Sequence, residues 1–260
     1  MHRFCAPEIR PDSKSAIMTP TQSKQIARVL RMRSGEHIEL FDGRGDLAEA
    51  KLTEVNANRV SATILSTSRV AWALPWRTTL YLAVIRPQRF EWAIEKATEL
   101  GAASIVPIFC SNTTHGGDSV GSSRHGRWQQ IAIEAAEQCG SAFVPRVGAA
   151  VTLQEALAEA ASLRIFAWES AGETKGERLM EVIAGIRRRD GDDPLSVSLY
   201  IGPEGGFAAA EVETSMAAGC RLVTLGPRIL RAETAAVAAL SLMLAGASNS
   251  DQMPSSLSII

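Results

Sequence analysis

The residues of this chain best suited to chemistry lie in two glycine–proline loops near its C-terminal end. They are Ile201-Gly202-Pro203-Glu204-Gly205-Gly206 and Leu225-Gly226-Pro227-Arg228-Ile229-Leu230-Arg231. Gly202, Gly205 and Gly206 lack a Cβ, so the backbone can take positive φ and approach a ligand closely. Pro203 and Pro227 stiffen the loops. Exposed amides and carbonyls in such loops can read a purine edge and an amino-acid group without committing charged side chains. The spacing is neither a GxGxxG fingerprint nor a Walker loop, which disfavours dinucleotides and triphosphates. Three charged residues stand close by: Glu204 inside the first loop, and Arg231 and Glu233 after the second. A carboxylate can accept a proton and an arginine can stabilise a developing anion. Two readings stay open. Glu233 or Thr234 can cap the following helix, or Arg231 and Glu233 can face a pocket. Glu204 is either an exposed turn residue or a neighbour of the substrate.

Each loop follows an apolar strand and precedes a helix, the position at which open α/β sheets bind ligands. Strands are predicted at 79–85, 105–109, 164–168, 196–201 and 221–225, and helices at 91–100, 127–139, 209–218 and 234–244. Phe90, Ala93, Ile94 and Ala97 make the buried face of the first of these helices, and Gly101 ends it. This alternation predicts an α/β domain with a largely parallel sheet. Residues 1–73 differ. Glu36–Phe41, Ala48–Leu52 and Val60–Leu65 are strand-like, with a hairpin signal at Asp42-Gly43-Arg44-Gly45-Asp46. One helix is expected from Thr21 to Met32, with Ile26, Val29 and Leu30 on its apolar face. Its basic residues are Lys24 and Arg28, with Arg31 and Arg33 following. Residues 71–77, with Pro75, predict a linker. The polar run 111–123 predicts a long loop, and 248–260 a disordered tail. The expected domains are therefore 1–73 and 74–247.

The net charge is −1, but residues 1–73 carry about +3 and the remainder about −4. Arginine outnumbers lysine 22 to 5, which suits phosphate contacts but also follows from genome composition. The cysteines at 5, 110, 139 and 220 form no CxxC pair and have no histidine at ligand spacing, so no metal site is expected. The first residues have no apolar signal-peptide core. The stretch 235–246 is too short to span a bilayer. A cytoplasmic protein without a membrane segment is expected.

The pair GPEGG and LGPRILRAETA resembles the ribosomal RNA small-subunit methyltransferase E family, which methylates N3 of a uridine in 16S ribosomal RNA. The resemblance runs over about residues 1–245 and includes Met1–Phe4, Arg28–Met32, Leu40–Gly43, Glu95–Gly101 and Ile131–Gly140. It implies a PUA-like RNA-binding β-barrel, then a SPOUT domain with a deep trefoil knot. Knots are rare in proteins. It also implies a homodimer, bound S-adenosyl-L-methionine, and 16S RNA or the small ribosomal subunit as partner. On matching positions, the cofactor would be held by Trp168, Glu169, Ile201, Gly202, Pro203, Gly205, Leu225, Gly226, Ile229, Leu230, Thr234 and Ala235.

Uridine N3 carries a proton, so methylation needs a base or an anion stabiliser. Glu233 and Arg231 are the candidates, with Glu204 in reserve. Lys24, Arg28, Arg31, Arg33, Arg124 and Arg127 are candidates for RNA contact. Two departures from the family pattern remove positive charge: Ser111 and Asn112 replace an acidic residue and an arginine, and Ser141 stands where arginine is common. Two alternatives remain: the same fold with another target, such as a ribose 2′-OH, and a non-enzymatic RNA-binding assembly factor.

Overall fold

The computed structural model describes residues 1–114, 121–170, 176–186 and 194–248. Most of the predicted tail, and residues 115–120 of the predicted loop, lie outside them. The chain divides into two compact units. One comprises Met1–Trp72 with Ile133–Val144; the other comprises Ala73–Ala132 and Pro145 onward.

The first unit contains β1 (His2–Cys5), β2 (Ser15–Ile17), α1 (Pro20–Lys24), β3 (His37–Phe41), β4 (Asp46–Val55) and β5 (Val60–Arg69). Its sheet order is β1-β3-β4-β5-β2, with β1 parallel to β3 and the other pairs antiparallel. Alternating residues of these strands build the core: Phe4, Ile38, Leu40, Ala48, Ala50, Leu52, Val60 and Ala62. The predicted β3–β4 hairpin forms as its residues dictate. Asp42 Oδ1 accepts from the amides of Arg44 (2.7 Å) and Asp46 (2.9 Å), while Gly43 and Gly45 take φ of +79° and +108°.

The helix expected from Thr21 to Met32 is different. Thr19 and Gln22 form a capping box and Pro20 opens α1, but α1 passes at Gln25 into a π turn ending at Val29. A π turn uses more residues per revolution than an α turn, so the apolar stripe shifts round. Ile26 stays buried, Val29 is carried outward to 74% exposure, and Met32 is buried instead. Arg31 takes φ of +54°, outside helical geometry.

The second unit runs β6 (Trp76–Ala83), α2 (Pro87–Glu99), β7 (Ser104–Phe109), α3 (Ser122–Cys139), β8 (Arg146–Val147), β9 (Val151–Thr152), α4 (Leu153–Ala158) and β10 (Leu163–Ala167). It continues through β11 (Glu177–Arg178), α5 (Leu179–Ala184), β12 (Leu195–Ile201), α6 (Ala209–Ala217), β13 (Arg221–Thr224) and α7 (Ala232–Ser248). From Ile133 on, α3 belongs to the first unit, an excursion that contiguous domain spans cannot express.

Every strand pair in the second unit is parallel, in the order β11-β13-β10-β12-β6-β7-β8, with β9 also on β7. Strands in such a sheet are covered on both faces, which accounts for the apolar runs of β6 and β12. Tyr81 and Tyr200 stack at 4.7 Å, and the Tyr200 hydroxyl donates to the Ala156 carbonyl at 3.0 Å. The linker expected over 71–77 is shorter than predicted, because β6 already begins at the buried Trp76. Pro75 precedes the strand, where its missing N–H removes no ladder bond, and its carbonyl accepts from Leu195. No helix among the described residues is long and apolar enough to cross a membrane.

Candidate functional site

β13, β10 and β12 are neighbours in the sheet, so the segments leaving their C-terminal ends come together. Ala167-Trp168-Glu169 follows β10, Gly202-Pro203 follows β12, and Thr224-Leu225-Gly226 follows β13. With Leu230, Ala232 and Ala235 from the entry to α7, they enclose a solvent-open cleft of about 530 Å³.

Local bonds stiffen each loop. The Gly206 amide donates to the Pro203 carbonyl at 2.9 Å, closing a turn whose Gly206 φ is +67°. Thr224 Oγ1 accepts from the Gly226 amide at 3.2 Å and donates to its carbonyl at 3.1 Å. The Trp168 amide donates to the Val223 carbonyl at 3.1 Å. Gly202 is needed for space as well, because a Cβ there would lie 2.9 Å from the Phe207 ring.

Asn112 braces the first loop from outside. Its Nδ2 donates to the carbonyls of Gly205 and Gly206, both at 3.1 Å. The Ser111 amide donates to Glu211 Oε1 at 2.7 Å, while Glu211 Oε2 accepts from the Ala208 amide at the start of α6. Ser111 and Asn112, the two departures from the family pattern, thus tie the GPEGG loop and α6 to the end of β7. Ser141 closes its own turn, bonding both polar groups of the Phe143 backbone.

Nine of the twelve residues anticipated around a cofactor line the cleft: Trp168, Glu169, Ile201, Gly202, Pro203, Leu225, Gly226, Leu230 and Ala235. Three do not. Gly205 packs against Asn112, Thr234 is exposed, and Ile229 is 86% exposed. Ala167, Gly206, Phe207, Thr224, Arg228 and Ala232 line it unanticipated. Most of these flank predicted residues on the same loops, so extending the strand-end rule by one residue would have found them.

The three charged candidates separate. α7 opens at Ala232, two residues earlier than predicted, so Glu233 and Thr234 stand inside its first turn rather than at the cap. Glu233 is buried, at 8% exposure, whereas Arg231 is exposed. Glu204 and Glu233 share a cation that the sequence reading missed, Arg89 in the first turn of α2. Its Nε lies 3.5 Å from Glu233 and its Nη1 lies 3.8 Å from Glu204. The signal was present, since Arg89 follows a central parallel strand on the side where ligands bind.

The basic candidates divide between the units. Lys24, Arg28, Arg31 and Arg33 are exposed in the first. In the second, Arg124 is half-buried and Arg127 forms a two-pronged pair with Glu91 at 2.6 and 2.8 Å. Those hydrogen bonds hold the Glu91 carboxyl below its ordinary range.

Residues 72–244 match the family described as RNA methyltransferase domain, and residues 22–65 match the RNA methyltransferase PUA domain. The ribosomal RNA small subunit methyltransferase E of Synechocystis sp. is 31% identical over 224 residues, covering 86% of this chain and 71% of that protein. The chain belongs to this methyltransferase E family. The family member of Bacillus subtilis is 30% identical over 86% of this chain and 87% of its own. The crystal structure of the methyltransferase E of Neisseria gonorrhoeae, bound to S-adenosyl methionine, superposes with a TM-score of 0.81 at 31% identity. It covers 94% of this chain and 97% of that one. The mixed α/β fold and the PUA-like N-terminal domain are thus those of the family.

Proposed function

We propose that this chain is an S-adenosylmethionine-dependent methyltransferase that modifies N3 of a uridine in small-subunit (16S) ribosomal RNA. The reading further takes it to act in the cytoplasm, as a homodimer with a trefoil-knotted C-terminal domain. Family membership supports methyl transfer to small-subunit RNA. The choice of nucleophile follows the family resemblance, and the observation that fits it is the buried carboxylate of Glu233, next in sequence to the cleft-lining Ala232. An imide nitrogen must give up its proton as it attacks, and a nearby carboxylate can take it.

The cleft suits the cofactor. Ile201, Leu225, Leu230 and Phe207 offer apolar walls, and the loops offer backbone amides and carbonyls at Gly202 and Gly226. Glu169 and Arg228 offer one charge of each sign for an amino-acid group. S-adenosylmethionine, when bound, supplies an electrophilic methyl group on sulfur. In this reading Glu233 takes the N3 proton as N3 bonds to that methyl. The electron pair of the broken sulfur–carbon bond stays on sulfur, and the proton later passes to solvent. Glu204 is held near Glu233 through Arg89 as the reserve acceptor. Arg231, exposed between the cleft-lining Leu230 and Ala232, remains the candidate for stabilising the developing anion. The homodimer is carried over from the family resemblance alone. The cluster Lys24, Arg28, Arg31 and Arg33 supplies the phosphate-binding face.

The test is to incubate the protein and S-adenosylmethionine with unmodified small-subunit RNA, free and in subunits, and to digest the product to nucleosides for mass spectrometry. The expected product is 3-methyluridine; a ribose-methylated nucleoside, or none, refutes the assignment. Reversing charge in an Arg28→Glu, Arg31→Glu double variant should weaken RNA binding. The salt dependence should flatten too, its log–log slope falling by about 0.7–0.9 for each phosphate that is no longer neutralised. Unchanged affinity and slope would remove the RNA face from that surface.

A further inference from the structure

Glu204 and Glu233 lie far apart in sequence, on the GPEGG loop and in the first turn of α7, and a guanidinium from a third element stands between them. Arg89, in the first turn of α2, reaches Glu233 at 3.5 Å through Nε and Glu204 at 3.8 Å through Nη1. Both separations exceed normal hydrogen-bond lengths, so the cation holds the two carboxylates by ion pairing and not by hydrogen bonds. The arrangement is lopsided at Glu233. Oε1 faces Arg89, while Oε2 is buried and has no hydrogen-bond partner among the described residues. A buried carboxylate oxygen without a partner is costly, and a folded protein keeps one where another molecule supplies the missing donor. The residues preceding both carboxylates, Pro203 and Ala232, line the cleft, and the triad stands one residue behind that lining.

We infer that Arg89 is a positioning residue for methyl transfer: it fixes Glu233 through Oε1 and so leaves Oε2 free to take the proton of the incoming nucleophile. This rests on the reading of Glu233 as the proton acceptor. The role differs from the one the sequence suggested for Arg231, which was to stabilise the developing anion directly. Arg89 also lets two carboxylates stand beside one guanidinium. Without it their like charges would repel, and Glu233 would lose the anchor that sets its orientation. Arg89 does not touch the reacting atoms; its effect runs through the carboxylate.

The test compares Arg89→Met, which keeps much of the side-chain stem, with Arg89→Lys, in single-turnover kinetics, titration calorimetry and crystal structures. Arg89→Met should lower the methyl-transfer rate by about 10²-fold, the size of effect that about 1 Å of misplacement produces. The KM for RNA and the affinity for S-adenosylmethionine should stay within about two-fold, and Arg89→Lys should recover part of the rate. Combining Arg89→Met with Glu233→Gln should cost little more than Glu233→Gln alone, because the two act as one unit. In the crystal structure of Arg89→Met, the Glu233 carboxylate should turn from its wild-type position, and in Arg89→Lys it should keep it. Additive losses, a normal rate in Arg89→Met, or an unmoved Glu233 would overturn the inference. A wild-type protein yielding a methylated nucleoside other than 3-methyluridine defeats the functional reading instead. In that case the side-chain position in the two variants still decides the role of Arg89.

Discussion

Glu233→Gln is expected to reduce methyl transfer by about 10²–10⁴-fold while leaving the affinity for S-adenosylmethionine within about two-fold, the loss typical of removing a positioned general base. The amide has nearly the shape of the carboxylate and leaves the first turn of α7 intact, so packing around this buried position should survive. What disappears is the ability to take a proton. The amide also offers Arg89 a neutral neighbour, so the guanidinium is left with Glu204 alone. Glu204→Gln should therefore cost much less, roughly 10-fold or under, because it lies farther from Arg89 and on the turn of the loop. Single-turnover kinetics with labelled cofactor, beside calorimetric titration and a thermal melt, would separate the effects. If Glu233→Gln turned over normally in a folded protein, the proton would have to leave by another route. If Glu204→Gln were the more damaging variant, the two carboxylates would exchange roles.

Gly202→Ala should cost both stability and cofactor affinity, for a reason that is purely steric. A methyl group at this position would sit 2.9, 3.0 and 3.3 Å from three atoms of the Phe207 ring. Phe207 cannot retreat easily, being buried with its ring centroid 4.0 Å from that of Phe166, which is itself buried. The strain must then move the loop toward the cleft that Gly202 and Phe207 both line. Overpacking of this kind costs about 1–3 kcal/mol, and a displaced wall should lower affinity for S-adenosylmethionine by roughly 10-fold or more. Gly202→Ala with Phe207→Leu should recover much of both losses, because the smaller side chain yields the space. If Gly202→Ala alone bound the cofactor normally, the close approach of backbone to ring would be irrelevant to the site. If the double variant bound no better, the fault would lie in backbone freedom, not in the clash.

Much of the site's neighbourhood was legible in the linear sequence because it rests on local rules. Apolar strands followed by glycine–proline turns mark ligand-binding ends whichever strands they belong to, and nine of the residues that the family resemblance pointed to line the cleft formed there. The hairpin at Asp42–Asp46 was equally local, since one carboxylate and two glycines suffice to make it. Local patterning failed where a long-range or cumulative effect intervened. The π turn at Gln25–Val29 displaced Val29 into solvent, and no helical periodicity could announce a change of pitch. Strands of only two residues, such as β8, β9 and β11, were too short to carry a pattern.

The sequence alone determined the two glycine–proline loops, the alternation that places them at strand ends, and the family resemblance. Each depends on residue type and on neighbours a few positions away. Only the tertiary structure decided which charges meet. Arg89, Glu204 and Glu233 are far apart along the chain and are joined because the parallel sheet and its helices bring α2, the loop after β12 and the start of α7 to one place. The same packing buried Glu233 while leaving Arg231 exposed, and turned Asn112 onto the GPEGG loop. Electrostatic partnership depends on distance in space and on exclusion of water, and both arise only when the elements pack.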